Sequence, residues 1–351
     1  MKRYLPLFVL LALVVLVQLV TSWTHTTYYL TQLTMSAYYS LVIIGLCLLM
    51  GYAGQISLGH AGFFAIGGYL SATLTTHNLV TYQDHTLIVL LKKSGCLVAG
   101  QDLYGGQLLV VQPWVACLVA VGVTVLIAFL IGGPVLKLKG HYLAMATLGF
   151  GTIVYRVVLA NRLFGEADGI SSVPPFPLLP GVAVSGGFGA RVSNYYIAWG
   201  LVLIFMILLI NLINSRVGRA LRAIHGSEEA ANAMGVNTAG YKLKIFMLSA
   251  GVAALAGVFL THYNGGIGPS EAGVMKSVRY VAIVAVGGMA SIWGALSMGV
   301  VLNFLSLRGV FGSYDDAVFG VILIVIMLFA PEGLLRLKLF TRLKKLRGGG
   351  Q

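Results

Sequence analysis

The chain is built from apolar runs, each about 20 residues long and sparing of charge, that recur from one end to the other. That is the length a helix needs to cross about 30 Å of hydrocarbon. In lipid every backbone N–H and C=O must be satisfied within the protein, so such runs become helices. The segments are 5–21, 33–50, 56–77, 110–133, 141–162, 195–214 and 242–263, followed by a long apolar region at 277–332. With 58% hydrophobic and 9% charged residues and a mean hydropathy of +0.91, against about 25% charged in soluble domains, the chain reads as an all-α integral membrane protein. No stretch has the mixed composition of an appended soluble domain, so 1–351 is read as one transmembrane domain, although length alone allows about two.

The opening MKRYLPLFVLLALVVLVQLV has the basic start and apolar stretch of a signal peptide, but no small-x-small cleavage site follows it. We expect a retained first helix. Lysine and arginine collect on the cytoplasmic side of membrane proteins. With the N-terminus inside, the inner segments hold Lys2, Arg3, Lys137, Lys139, Arg216, Arg219, Arg222, Lys242, Lys244 and the six bases of a tail at 335–351, which is 15 of the 23 basic residues. Keeping that tail inside demands an even number of crossings. The final region must then form three segments, near 273–287, 293–308 and 315–332, broken at Gly287-Gly288-Met289-Ala290-Ser291-Ile292-Trp293-Gly294. Ten crossings result, both termini are cytoplasmic, and the competing arrangement makes the first two of the three a re-entrant pair.

Two outer loops remain, 79–109 and 163–194. The second is rich in glycine and has four prolines, so it is expected as an irregular cap, a place where a partner could bind. No carboxylate is read within the membrane segments: Asp84, Asp102, Glu166, Asp168, Glu271, Asp315 and Asp316 are all read as lying in or beside external stretches, which argues against a proton-coupled carrier. Cys47, Cys96 and Cys117 form no CxxC pair and indicate neither a metal site nor a disulfide framework. The net charge of +13 sits at the ends of apolar spans, not on one basic face, so nucleic acid is not implied; anionic lipid is.

One polar interval stands apart, SRVGRALRAIHGSEEAANAMGVNTAGY from Ser215 to Tyr241. A basic turn carrying Arg216, Arg219 and Arg222 leads to Ser227, a good N-cap. Glu228 and Glu229 follow in the first helical turn, where carboxylates favour the dipole. Ala230, Ala231, Ala233 and Met234 supply a small apolar surface, and Gly235 stops the helix in a left-handed cap. An isolated helix at 227–234 is marginal in water. Either neighbouring membrane helices or a soluble partner must hold it.

GRALRAIHGSEEAANAMGVNTAGYKLKIFMLSAGVAALAGVF resembles the cytoplasmic coupling segment of ABC-importer permeases of the branched-chain amino acid type, in which a short helix sits in a groove of the ATPase. GYAGQISLGHAGFFAIGGYLSA (51–72), KLKGHYLAMATLGFGTIV (137–154), VGGMASIWGALSMGVVL (286–302) and FGVILIVIMLFAPEGLL (319–335) match in the same order. The KGHYLAMATLGFG stretch resembles the M-type subunit more than its H partner. The resemblance implies a bacterial or archaeal plasma (inner) membrane protein, paired with an H-type permease and two cytoplasmic P-loop ATPase subunits that bind ATP and Mg, and supplied by an extracytoplasmic substrate-binding protein. Arg219, Arg222, Ser227, Glu228, Glu229, Ala230, Ala231, Met234 and Gly235 become the candidate ATPase-coupling residues. The chain departs from the family at His225-Gly226, expected to flex the approach to the coupling helix, at Phe164-Gly165-Glu166-Ala167-Asp168-Gly169, and in residues 80–107, which look like an insertion.

Gly51-Tyr-Ala-Gly-Gln-Ile-Ser-Leu-Gly-His60 places polar groups in an apolar context, where hydrogen-bonding side chains facing lipid are costly. Broken helices near mid-membrane expose backbone to solutes in transporters. Gly51, Gln55, Ser57, Gly59 and His60 are therefore candidates for lining the pathway, while close packing and interhelical hydrogen bonds account for the same residues as structure. No GxxxxGK[ST], HExxH or GxSxG occurs, so no catalytic centre or cofactor is expected on this chain. The expected cargo is a branched-chain, hydrophobic amino acid; the alternatives are urea or a short amide carried by the same family, or a self-sufficient channel or secondary transporter.

Overall fold

In the computed structural model, residues 4–80, 89, 92–93, 95–101, 106–138, 140–310 and 312–329 are described. The 335–351 tail and most of the 80–107 insertion lie outside them. Helices α1 (Leu5–Trp23), α2 (Tyr28–Ala53), α3 (His60–Thr76), α4 (Pro113–Val135), α5 (His141–Ala160) and α6 (Arg191–Asn214) come first. Then follow α7 (Arg216–Gly226), α8 (Glu228–Ala233), α9 (Thr238–Asn264), α10 (Val274–Gly287), α11 (Ile292–Leu307) and α12 (Asp315–Phe329). The ten expected apolar segments thus all form helices, six of them long and apolar enough to cross a membrane among the described residues.

The core is α2, buried along almost its whole length and walled by α9, α11, α6 and α10. Lipid gives helices no hydrophobic reason to associate, so small residues that let backbones approach do that work. The α3–α9 crossing depends on this: a Cβ at Gly257 would stand 2.1 Å from the Phe64 carbonyl oxygen, and one at Gly67 would stand 2.3 Å from that of Ala254. The outer helix α1 runs antiparallel to α6, fastened by hydrogen bonds from Tyr4 to Asn211, from Tyr195 to the Val14 carbonyl, and from Tyr196 to Gln18.

The expected break in the last region is present. Residues 288–291 turn between α10 and α11, and their carbonyls meet α2, with Cys47 Sγ donating to Met289 and the Tyr52 hydroxyl to Ala290. Helix α12 is joined to this pair by Asp315, which meets Arg279 of α10 and Ser306 of α11.

The opposite end of the bundle carries strands that the sequence reading lacked. β1 (Leu97–Gln101) and β2 (Gln107–Val111) form one antiparallel hairpin, β4 (Phe176–Leu179) and β5 (Val182–Val184) another. β3 (Ile170–Ser171) pairs with β6 (Gly266–Ile267), the chain just after α9. The second outer loop is thus not an irregular cap. Phe176 is fully buried against Trp114, Phe259 and His262, and His262 bonds both the Pro174 carbonyl and Ser71. Proline is compatible with this two-stranded edge because it lacks only the N–H.

Candidate functional site

At the basic end, the arginines Arg216, Arg219 and Arg222 lie on a helix and not in a turn. Ser215 caps α7 by accepting from the Val217 N–H at 3.1 Å. Gly218, Leu221 and Ile224 face inward while Arg219 and Arg222 are exposed, an i, i+3, i+6 apolar stripe whose spacing is present in the sequence between the arginines. Gly226 is the last residue of α7, so the helix continues unbroken through His225-Gly226 to the start of α8.

Helix α8 has the expected caps, one residue inside the expected bounds. Ser227 Oγ accepts from the Ala230 N–H, Glu228 and Glu229 occupy the first turn, and Gly235 has φ +81°. Its two faces differ. Ala231 is buried against the protein, and Glu228 forms an ion pair with Lys242 of α9, whose side chain is 10% exposed. Glu229, Ala230 and Met234 face outward, Met234 at 84% exposure. A groove of about 500 Å³ runs between Glu228 and Asn232 on one side and Gly132, Leu136 and Lys137 at the end of α4 on the other.

The second candidate group lies deeper. Helix α2 ends at Gly54 (φ +67°), residues 54–59 are not helical, and α3 starts at His60, four residues later than the sequence suggested. His60 Nε2 meets Ser249 Oγ at 2.7 Å, and Ser249 is about 17 Å along α9 from its start at a rise of about 1.5 Å per residue. The irregular stretch therefore climbs into the bundle, where α3 begins part-way through. Its polar atoms have local partners: Ser57 with His60 Nδ1 at 3.1 Å, and the Leu58 N–H donating to Thr147 Oγ1 at 2.9 Å. Gly59 lies against the Thr147 carbonyl and Gly51 against that of Met289. Gln55 is the exception, 2% exposed with neither amide atom hydrogen-bonded.

A second interruption, 265–273, in which β6 is followed by a 3-10 turn at Pro269–Ala272, enters from the hairpin end and delivers the start of α10 to the same region, where Ser277 Oγ accepts from the Ala61 N–H at 3.2 Å. This corrects the reading of Glu271 as external. Its carboxylate accepts from the hydroxyl of Tyr39, the twelfth residue of α2, and from Lys276 at 2.9 and 3.1 Å. The sequence placed this acid by its distance from the nearest apolar span and could not show that the loop turns back inward. A carboxylate thus does lie inside the bundle, paired with Lys276, and the placement of the acids does not by itself exclude a proton-coupled carrier.

Beside this turn is a cavity of about 580 Å³, with Thr152, Tyr155 and Arg156 of α5 on one side and Ser270, Gly273, Val274, Met275, Lys276 and Arg279 on the other. Sequence reasoning singled out none of these; the signal available was that Arg156, Lys276 and Arg279 are bases inside apolar segments.

Residues 28–327 match the family described as the branched-chain amino acid transport system / permease component. The chain is 30% identical to LivM, the high-affinity branched-chain amino acid transport system permease protein, of Salmonella typhimurium, over 86% of this chain and 68% of that protein. It is equally similar, at 30% over the same shares, to LivM of Escherichia coli. To LivH of Escherichia coli, a permease of the same system, it is 27% identical over 88% and 96%. No solved structure matches it. The chain, a multi-pass bundle interrupted at two depths and carrying a capped helix at its basic end, belongs to the family of branched-chain amino acid transport system permeases.

Proposed function

We propose that this chain is a transmembrane permease subunit of an ATP-driven importer, forming with a second, H-type permease the path for a branched-chain amino acid. Two cytoplasmic P-loop ATPase subunits supply the power, with ATP and Mg on their own chains, and a substrate-binding protein delivers cargo at the hairpin end. The chain is itself non-catalytic. Relatives named as branched-chain amino acid permeases, of both the M and H kinds, support the cargo and the pairing. The concentration of Lys137, Arg216, Arg219, Arg222, Lys242 and Lys244 at one end supports a cytoplasmic position for that end in the plasma membrane.

The observation that carries the coupling role is α8 itself. It is anchored on its inner face by Ala231 and the Glu228–Lys242 pair, and offers Glu229, Ala230 and Met234 on its outer face beside exposed Arg219 and Arg222. A helix fixed on one side and exposed on the other transmits displacement. Loss of a well-buried interface anchor typically costs about 2 kcal/mol or more. We therefore expect Met234→Asp and Glu229→Arg each to weaken co-purification of the ATPase subunits by about tenfold or more, with membrane insertion intact. Undiminished association in both variants would remove α8 from the interface. ATP-dependent uptake of leucine by the reconstituted complex tests the cargo; uptake of urea without leucine would defeat it.

A further inference from the structure

We propose that the cavity between α5 and the start of α10 binds the carboxylate of the transported solute, with Arg156 as the charge that receives it. The site presupposes the importer reading and adds to it the group of the solute that is held. Three bases lie within apolar helices, Arg156 in the next-to-last turn of α5 with Lys276 and Arg279 in the first two turns of α10, and all three line this one cavity. Bases at such positions are costly and mark ion or substrate pathways.

Two of them are already neutralised. Lys276 is bound to Glu271, and Arg279 to Asp315. Arg156 is exposed and has no acidic partner among the described residues, so the wall carries one uncompensated positive charge. The start of α10 faces it. Gly273, the N-cap, provides no capping side chain, and no acid lies in the first turn, so the positive end of the helix dipole adds to the field. Thr152, Tyr155 and Ser270 offer hydroxyls, and Val274 and Met275 an apolar wall. About 580 Å³ falls within the about 300–1,000 Å³ of small-molecule sites. A zwitterionic or anionic carboxylate suits this lining; urea, which has no charge, leaves Arg156 unpaired.

The complex reconstituted with its binding protein and ATPases provides the test. Arg156→Gln should lower ATP-dependent leucine uptake about tenfold or more, as loss of a charge-assisted hydrogen bond does, and Arg156→Lys should recover part of it. Assembly with the ATPase subunits and thermal stability in detergent, which a merely structural role would disturb, should stay near the unsubstituted values. Independently of those variants, Met275→Cys in a Cys96→Ser background should react with a charged, membrane-impermeant thiol reagent, since Cys47 and Cys117 are buried. Leucine should slow that reaction and leucinol, which lacks the carboxylate, should not. Undiminished uptake by Arg156→Gln, or equal protection by leucinol, overturns the site while leaving the importer reading intact. Failure of the unsubstituted complex to take up leucine sinks both.

Discussion

At the scale of single residues, the buried polar groups around residues 55–60 divide into two kinds. His60 has partners on both ring nitrogens, Ser57 and Ser249, so removing either leaves a ring nitrogen unsatisfied in a buried position. Ser249→Ala should therefore destabilise the detergent-solubilised protein by about 1 kcal/mol, the scale of interhelical hydrogen bonds in membranes. Gln55 has no such partner to lose. Gln55→Leu should leave thermal stability within about 0.5 kcal/mol or raise it, because it removes an unsatisfied amide. A large loss of stability in Gln55→Leu would show that the amide is bonded after all.

At the scale of elements, helix approach depends on particular glycines. Gly257→Val puts a branched side chain where a Cβ alone would stand 2.1 Å from the Phe64 carbonyl oxygen, so α3 and α9 must separate. We expect a loss of about 3 kcal/mol or more, read as failure to survive detergent extraction. Gly122→Val on α4, where nothing lies within 4 Å of the new Cβ, should be tolerated. Much at this scale was legible in the sequence: apolar runs marked seven helices, charge counting and the glycine break at 287–294 divided the last region into three more, and Ser227, Glu228, Glu229 and Gly235 delimited α8 through local capping chemistry. What stayed hidden has physical reasons. The stripe of Gly218, Leu221 and Ile224 was masked by three arginines, while the late start of α3 and the inward turn at Glu271 depend on contacts with Ser249, Thr147 and Tyr39, distant in sequence. The cavity beside Arg156 requires two helices that no local pattern brings together.

At the scale of the whole molecule, the two ends are joined by α9. Its first turns hold the Glu228–Lys242 pair, and the chain leaving its last turn pairs as β6 with β3. Exchanging the charges tests the first joint: Glu228→Lys alone should place like charges together at the largely buried Lys242 and reduce the coupling of ATP hydrolysis to uptake, whereas Glu228→Lys with Lys242→Glu should recover most of it. Failure of the double exchange to recover would mean that Glu228 acts outside the chain. A continuous helix of 27 residues is about 40 Å long and stiff along its axis. Joined firmly at both ends, it puts the two ends of the bundle mechanically in series, so that in the proposed importer arrival of cargo on one side and nucleotide turnover on the other are sensed by one and the same rod, without a relay of intervening side chains.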